Sequence, residues 1–150
     1  MAKFEYRMQN ILNIKQKLQT HAKKTYSLAN QKYLEQQKIL QEYMVRRVGY
    51  EQHWKKLMQG NLNLQEVEHA RADVNAMKTI VRRQMVEVHK AEKELEDARN
   101  RLKTVMQERK VQEKLREKAF EEFKQELAEA ETKEIDELVS YTYNKGEQGE

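Results

Sequence analysis

Apolar residues along this chain recur at alternating steps of four and three, the spacing of a seam between packed helices. The first run passes through Phe4, Met8, Ile11, Lys15, Leu18, Ala22, Tyr26, Ala29, Tyr33, Gln36, Leu40, Tyr43, Arg47, Tyr50, Trp54 and Leu57. Only Lys15, Gln36 and Arg47 break it with a polar side chain. The step Leu18–Ala22–Tyr26 is a double four, a stutter that locally unwinds a supercoil. The second run passes through Val67, Ala70, Val74, Met77, Val81, Gln84, Val88, Ala91, Leu95, Ala98, Leu102 and Val105, with Gln84 its one polar member. Carried further, that register reaches Arg109, Gln112 and Arg116, where it fails. A shifted register resumes through Val111, Leu115, Ala119, Phe123, Leu127 and Ala130, so a change is expected near residues 106–112.

Between the runs lies Gln59-Gly60-Asn61-Leu62-Asn63-Leu64-Gln65-Glu66. Gly60 suits a helix C-terminus, where glycine tolerates the left-handed conformation. Asn63 followed three residues later by Glu66 resembles a capping box opening the next helix. Two helices joined by so short a loop run antiparallel. The pattern predicts an all-α protein, a long antiparallel two-helix coiled-coil hairpin. Helix one is placed near 3–58, the loop near 59–63 and helix two near 64–140. These form a single domain over 1–141, and a flexible tail is expected over 142–150. Folding about residues 61–62 pairs position i with roughly 123 − i. At ~1.5 Å rise per residue the hairpin is roughly 80 Å long and the whole rod over about 100 Å. Helix two then overhangs helix one, carrying an apolar stripe (Phe120, Phe123, Leu127, Ile135, Leu138) with no partner expected in its own chain, a candidate docking surface. Seam one is rich in Tyr and carries the Trp, while seam two alternates Ala with Val and Leu, so bulky residues face small ones.

Composition sharpens this. The 150 residues contain no proline, no cysteine and four glycines, with 36% charged and 7% aromatic residues. Sheet-containing globular domains draw on Gly and Pro for their turns, and disulfide-stapled domains need Cys. Neither class fits. A mean hydropathy of −1.08 fits disorder, but the apolar residues are too regularly spaced for it, and Ser occurs only at Ser27 and Ser140. The missing cysteines fit a reducing compartment. No apolar run approaches the roughly 18 residues needed to span a bilayer, and charges at Lys3, Glu5 and Arg7 argue against a signal peptide. The expectation is a soluble, cytoplasmic protein. Its net charge of +4 hides a gradient: residues 1–60 carry a balance of +8, 61–120 of +3 and 121–150 of −7.

Candidate chemistry is sparse. His21, His53, His69 and His89 show no metal-ligand spacing, so no metal site is expected. There is no glycine-rich phosphate loop and no Ser or Cys nucleophile beside a base. Gly49 stands alone within the first helical run, where it marks weakness or a bend. A two-helix rod lacks the pocket that catalysis requires, so the reading is a non-enzyme without cofactor. Lys23-Lys24, Arg46-Arg47, Lys55-Lys56 and Arg82-Arg83 suit the wet faces of long helices better than a nucleic-acid interface. Tyr26, Tyr33, Tyr43, Tyr50 and Trp54 lie on the seam and, where a shallow seam leaves them exposed, become anchors for a partner.

The opening Phe4-x-Tyr6-Arg7-x-Gln9-x-x-Leu12-x-x-Lys15 resembles the start of the FliJ family, coiled-coil proteins of the bacterial flagellar type III export apparatus. A later block is similar too: Glu108-Arg109-Lys110-x-x-Glu113-Lys114-Leu115-x-Glu117-Lys118-x-Phe120, then Glu131-x-Lys133-Glu134-x-Asp136-Glu137. The resemblance covers essentially the whole chain. It implies a stalk that enters the central pore of the hexameric export ATPase and promotes its assembly and ATP hydrolysis. It also implies contact with the cytoplasmic domain of the export-gate protein, binding of export chaperones, and a place at the inner face of the cell membrane at the flagellar base. By the family's pattern, Gln36, Leu40 and Tyr43 match its gate-contacting patch. A further Tyr of that patch is Arg47 here, and its helix-two part would fall near Ala70, Val74, Met77 and Val81, whose identities do not match. The late block and overhang suggest Arg109, Lys110, Lys114, Lys118, Phe120 and Phe123 as ring-binding residues, with roughly 3–25 and 100–138 inserted. The alternatives are a generic coiled-coil scaffold that dimerises through its seams, and a basic nucleic-acid-binding rod.

Overall fold

The computed structural model describes residues 3–148. Two helices make up the fold, α1 (Gln9–Leu57) and α2 (Leu64–Gln148), packed against each other as an all-α hairpin with no strand among the described residues. With no proline to remove a backbone N–H, nothing in either run interrupts the i to i−4 ladder. Among the described residues the one positive φ is at the bend. Gly60 adopts φ 96°, a conformation that a Cβ would disfavour. Just before it the last turn of α1 tightens, Met58 N–H donating to the Trp54 carbonyl at 3.1 Å and Gln59 N–H to the Lys56 carbonyl at 3.2 Å. Lys55 and Lys56 sit in that turn, where cations complement the helix dipole. Asn63 then caps α2. Its Oδ1 accepts from the N–H of Gln65 at 3.1 Å and of Glu66 at 3.5 Å, satisfying donors that a helix start otherwise leaves open.

Both helix ends depart from the expected bounds. The first helix opens at Gln9 rather than near residue 3; residues 3–6 are irregular and 7–8 form a turn. Gln9 N–H donates to the Tyr6 carbonyl at 3.0 Å. The reason lies in Phe4 and Tyr6, whose side chains are engaged with α2 as described below. The second helix continues past residue 140 into the stretch expected to be a flexible tail. No Pro and no Gly before Gly146 stands in its way, and the Thr142 hydroxyl donates to the Leu138 carbonyl at 2.9 Å. Gly149 and Glu150 of that tail lie outside the described residues.

The chain divides into two compact units, Thr20–Thr104 and the pairing of Met1–Gln19 with Val105–Glu150. Within Thr20–Thr104 the α2 seam is the one the spacing predicts. Ala70, Val74, Met77, Val81, Ala91, Leu95 and Ala98 are all buried, Val74 and Val81 to 1% exposure. They lie against a row on α1 that includes Ala22 and the half-buried Tyr26, Tyr33, Leu40, Tyr43 and Trp54. Each buried Val or Leu contributes on the order of 1.5–3 kcal/mol relative to exposure. Gln84, the polar exception in its seam, is buried and donates through Nε2 to the Gln36 carbonyl (3.0 Å) and to Gln36 Oε1 (2.8 Å). The two seam-breaking glutamines thus face each other. Lys32 and Glu94 bridge the exposed flank at 3.2 Å.

In the other unit the apolar spacing is followed only in part. Met8 and Ile11 are exposed, while Leu12 and Gln19 are buried and Lys15 and Leu18 half-buried. The α1 row of this unit runs through 12, 15 and the neighbouring pair 18 and 19. On α2 the row passes Val105 (1% exposed) into Arg109, Gln112, Ala119 and Phe123, all half-buried, while Val111 and Leu115 are exposed. The original register holds through Arg109 and Gln112, Arg116 is exposed, and Ala119 and Phe123 belong to both registers. Polar side chains occupy it because each has a polar partner across the helix pair. Lys15 Nζ meets Glu108 Oε2 at 2.7 Å, the pair that the fold-back rule matches. Arg109 donates to Gln19 Oε1 at 2.8 Å, Arg116 to Gln9 Oε1 at 3.0 Å, and Tyr6 Oη to Gln112 Oε1 at 3.3 Å.

Candidate docking surfaces

Phe4 closes the first candidate surface. Its ring lies 5.0 Å from that of Phe120, edge-on at 66°, and 5.4 Å from that of Phe123. The Arg116 guanidinium stands 5.7 Å from the Phe4 centroid and the Lys124 ammonium 4.7 Å from that of Phe120, within cation–π reach. The apolar stripe expected to be unpartnered thus has a partner at its start. Phe123 is half-buried and Phe120 stays partly open. Beyond Lys124 every described side chain through Gly146 is exposed, including Leu127, Ile135 and Leu138.

The basic residues proposed from sequence separate into two kinds. Lys110, Lys114 and Lys118 are exposed and share one helix face at four-residue steps. Arg109 is different: it is half-buried, donates to Gln19 across the pair, and holds Glu113 at 2.8 Å. It serves the hairpin's own packing.

The second candidate surface lies in Thr20–Thr104. Gln36 is committed to Gln84, Leu40 is half-buried, and Tyr43 is half-buried with the Arg46 guanidinium 5.9 Å from its ring centroid. Tyr43 lines a shallow groove with Ile80, Arg83, Gln84, Val86 and Glu87 of α2. The helix-two positions mapped from the family pattern, Ala70, Val74, Met77 and Val81, are buried in the seam and present nothing to a partner. The residues that do flank Tyr43, namely Ile80, Arg83 and Val86, fall one or two places off the seam. The sequence signal for Ile80 and Val86 is an apolar residue beside a heptad row, and Arg83 belongs to the basic pair Arg82-Arg83. A further groove near the bend is lined by His53, Asn63, Glu66, His69 and Asp73 among others. No group of three or more His, Asp or Glu among the described residues is arranged to hold a metal ion.

Such a molecule is an all-α hairpin of two long helices, with exposed side-chain rows and shallow grooves among its described residues. The family model of the flagellar FliJ protein matches residues 4–148, and the chain belongs to that family. It is on that ground a component of the flagellar export apparatus, in a family of structural components not known as enzymes. No curated protein matches the chain, and no solved structure does. No helix among the described residues is long and apolar enough to cross a membrane.

Proposed function

We propose that this chain is the stalk of the export machinery: it inserts in the export ATPase hexamer, promotes ring assembly and ATP hydrolysis, couples the ring to the export gate, and binds export chaperones at the inner face of the membrane. The observation that carries this reading is the family match along residues 4–148. On this reading Lys110, Lys114 and Lys118, with Phe120 and Phe123 beside Phe4, meet the ring. Exposed ammonium groups next to a partly open aromatic cluster suit a partner surface that offers carboxylates beside apolar pockets. Arg109 contributes by keeping the helix pair closed. Tyr43, with Leu40 and Gln36 behind it, meets the gate.

The seams themselves offer nothing to a scaffold that would dimerise through them. Val74 and Val81 in one unit, and Val105 in the other, are 1% exposed, so the seam is filled by the chain's own helices. The test of the stalk reading is ATP hydrolysis by the purified export ATPase with and without this chain. Lys110→Glu/Lys114→Glu/Lys118→Glu, all at exposed positions, is expected to reduce the stimulation at least tenfold while leaving helical circular dichroism unchanged. Full stimulation by that variant overturns the ring assignment. In a pull-down with the gate's cytoplasmic domain, Tyr43→Ala is expected to lower capture, and unchanged capture overturns the gate assignment.

A further inference from the structure

Two exposed faces of this molecule are complementary to each other. The first is the end of α2. Ile135, the pair Leu138 and Val139, and the pair Thr142 and Tyr143 lie three or four residues apart on one continuous helix face, and Leu138, Val139 and Tyr143 are 66, 63 and 67% exposed. Leu138, Val139, Thr142 and Tyr143 line a shallow groove of their own. Glu134 and Asp136 border this face on its two sides, within a segment 121–150 whose charge balance is −7. The second is the groove at Tyr43. Its floor is Tyr43, Ile80 and Val86, with Val86 54% exposed. Arg83 lines it and Arg46 stands over the Tyr43 ring. The one carboxylate there, Glu87, already holds Lys90 at 3.4 Å.

We propose that the acidic end of α2 of one copy docks in the Tyr43 groove of a second copy. Ile135, Leu138, Val139 and Tyr143 supply the anchors of a helix laid in a groove. Glu134 and Asp136 meet Arg46 and Arg83. The charge complementarity identifies the occupant: the groove is apolar with a basic rim, and the same chain carries an apolar helix face with an acidic rim. A third helix laid on the pair also thickens a core that two helices leave thin. The inference goes beyond the stalk reading and stands without it. The two readings meet at Tyr43, since a docked second copy covers it and excludes any other partner there.

Light scattering over a dilution series tests this. In about 0.05 M salt, where the Debye length is roughly 14 Å, the apparent mass is expected to rise above 18.1 kDa with concentration. In about 0.5 M salt, which screens exposed charges, it is expected to fall back. Leu138→Glu/Tyr143→Glu, at exposed positions, is expected to weaken association at least tenfold. Arg46→Glu/Arg83→Glu is expected to do the same, and mixing it with Glu134→Lys/Asp136→Lys to restore a complex. Because the chain has no cysteine, Val86→Cys mixed with Val139→Cys is expected to give an intermolecular disulfide. A mass of 18.1 kDa at every concentration in low salt overturns the proposal. So does association that is indifferent to salt, that survives the paired glutamates, or that leaves the two cysteine variants unlinked.

Discussion

Trp54, the chain's single tryptophan, has a buried indole N–H with no hydrogen-bond acceptor. A buried unsatisfied donor costs about 1–3 kcal/mol, which offsets part of what the ring contributes by burial. Trp54→Phe is therefore expected to change unfolding free energy by less than about 1 kcal/mol. Trp54→Ala, which removes the ring as well, is expected to lose about 3 kcal/mol. Urea unfolding of the two variants checks both. Gly49 lies inside α1, and a Cβ built on it meets nothing within 4 Å. Glycine in a helix interior costs about 1 kcal/mol relative to alanine. Gly49→Ala is expected to raise the melting temperature by about 3 °C, read by circular dichroism at 222 nm.

At the scale of the helices, the polar crossing near the chain ends is the unusual element. Gln19 is buried and accepts from Arg109, so removing one partner strands the other. Arg109→Leu is expected to cost about 2 kcal/mol, and Gln19→Leu/Arg109→Leu to recover most of it, since replacing both partners by apolar groups is close to neutral. A double-mutant cycle in urea measures this. The same crossing explains what was legible in the sequence. The α2 seam from Ala70 to Val105 could be read residue by residue, because burial there falls, Gln84 apart, on Ala, Val, Leu and Met at steady steps. The capped bend at Gly60 and Asn63 was legible for the same local reason, each residue type suiting its backbone. Near the ends the apolar rule misled. Met8 and Ile11 are apolar yet exposed, while Lys15, Gln19, Arg109 and Gln112 are polar yet turned to the partner helix. Whether a polar side chain sits in a seam depends on the residue opposite, and a single strand of sequence does not display that. The candidate surfaces divide likewise. The lysine face at 110, 114 and 118 follows from spacing alone, whereas the Ile80, Arg83 and Val86 wall beside Tyr43 emerges only from the packed pair.

For the molecule as a whole, protection should follow packing. Beyond Lys124 no described side chain through Gly146 is buried, and a helix without tertiary contacts is marginal in water. Backbone amides of 125–146 are expected to exchange hydrogen fastest within α2, and those around Val74 and Val81 slowest. Equal exchange rates along α2 would contradict this. One buried pair has a mechanical consequence. Within Thr20–Thr104, sliding α2 along α1 by one heptad would set Gln84 opposite Ala29 or Tyr43 instead of Gln36. Neither offers the side-chain amide oxygen that receives it now, and the forfeited bonds amount to about 1–3 kcal/mol for a stranded buried amide. A tug on one helix of that unit is thus met without slippage, and its partner is dragged along in step.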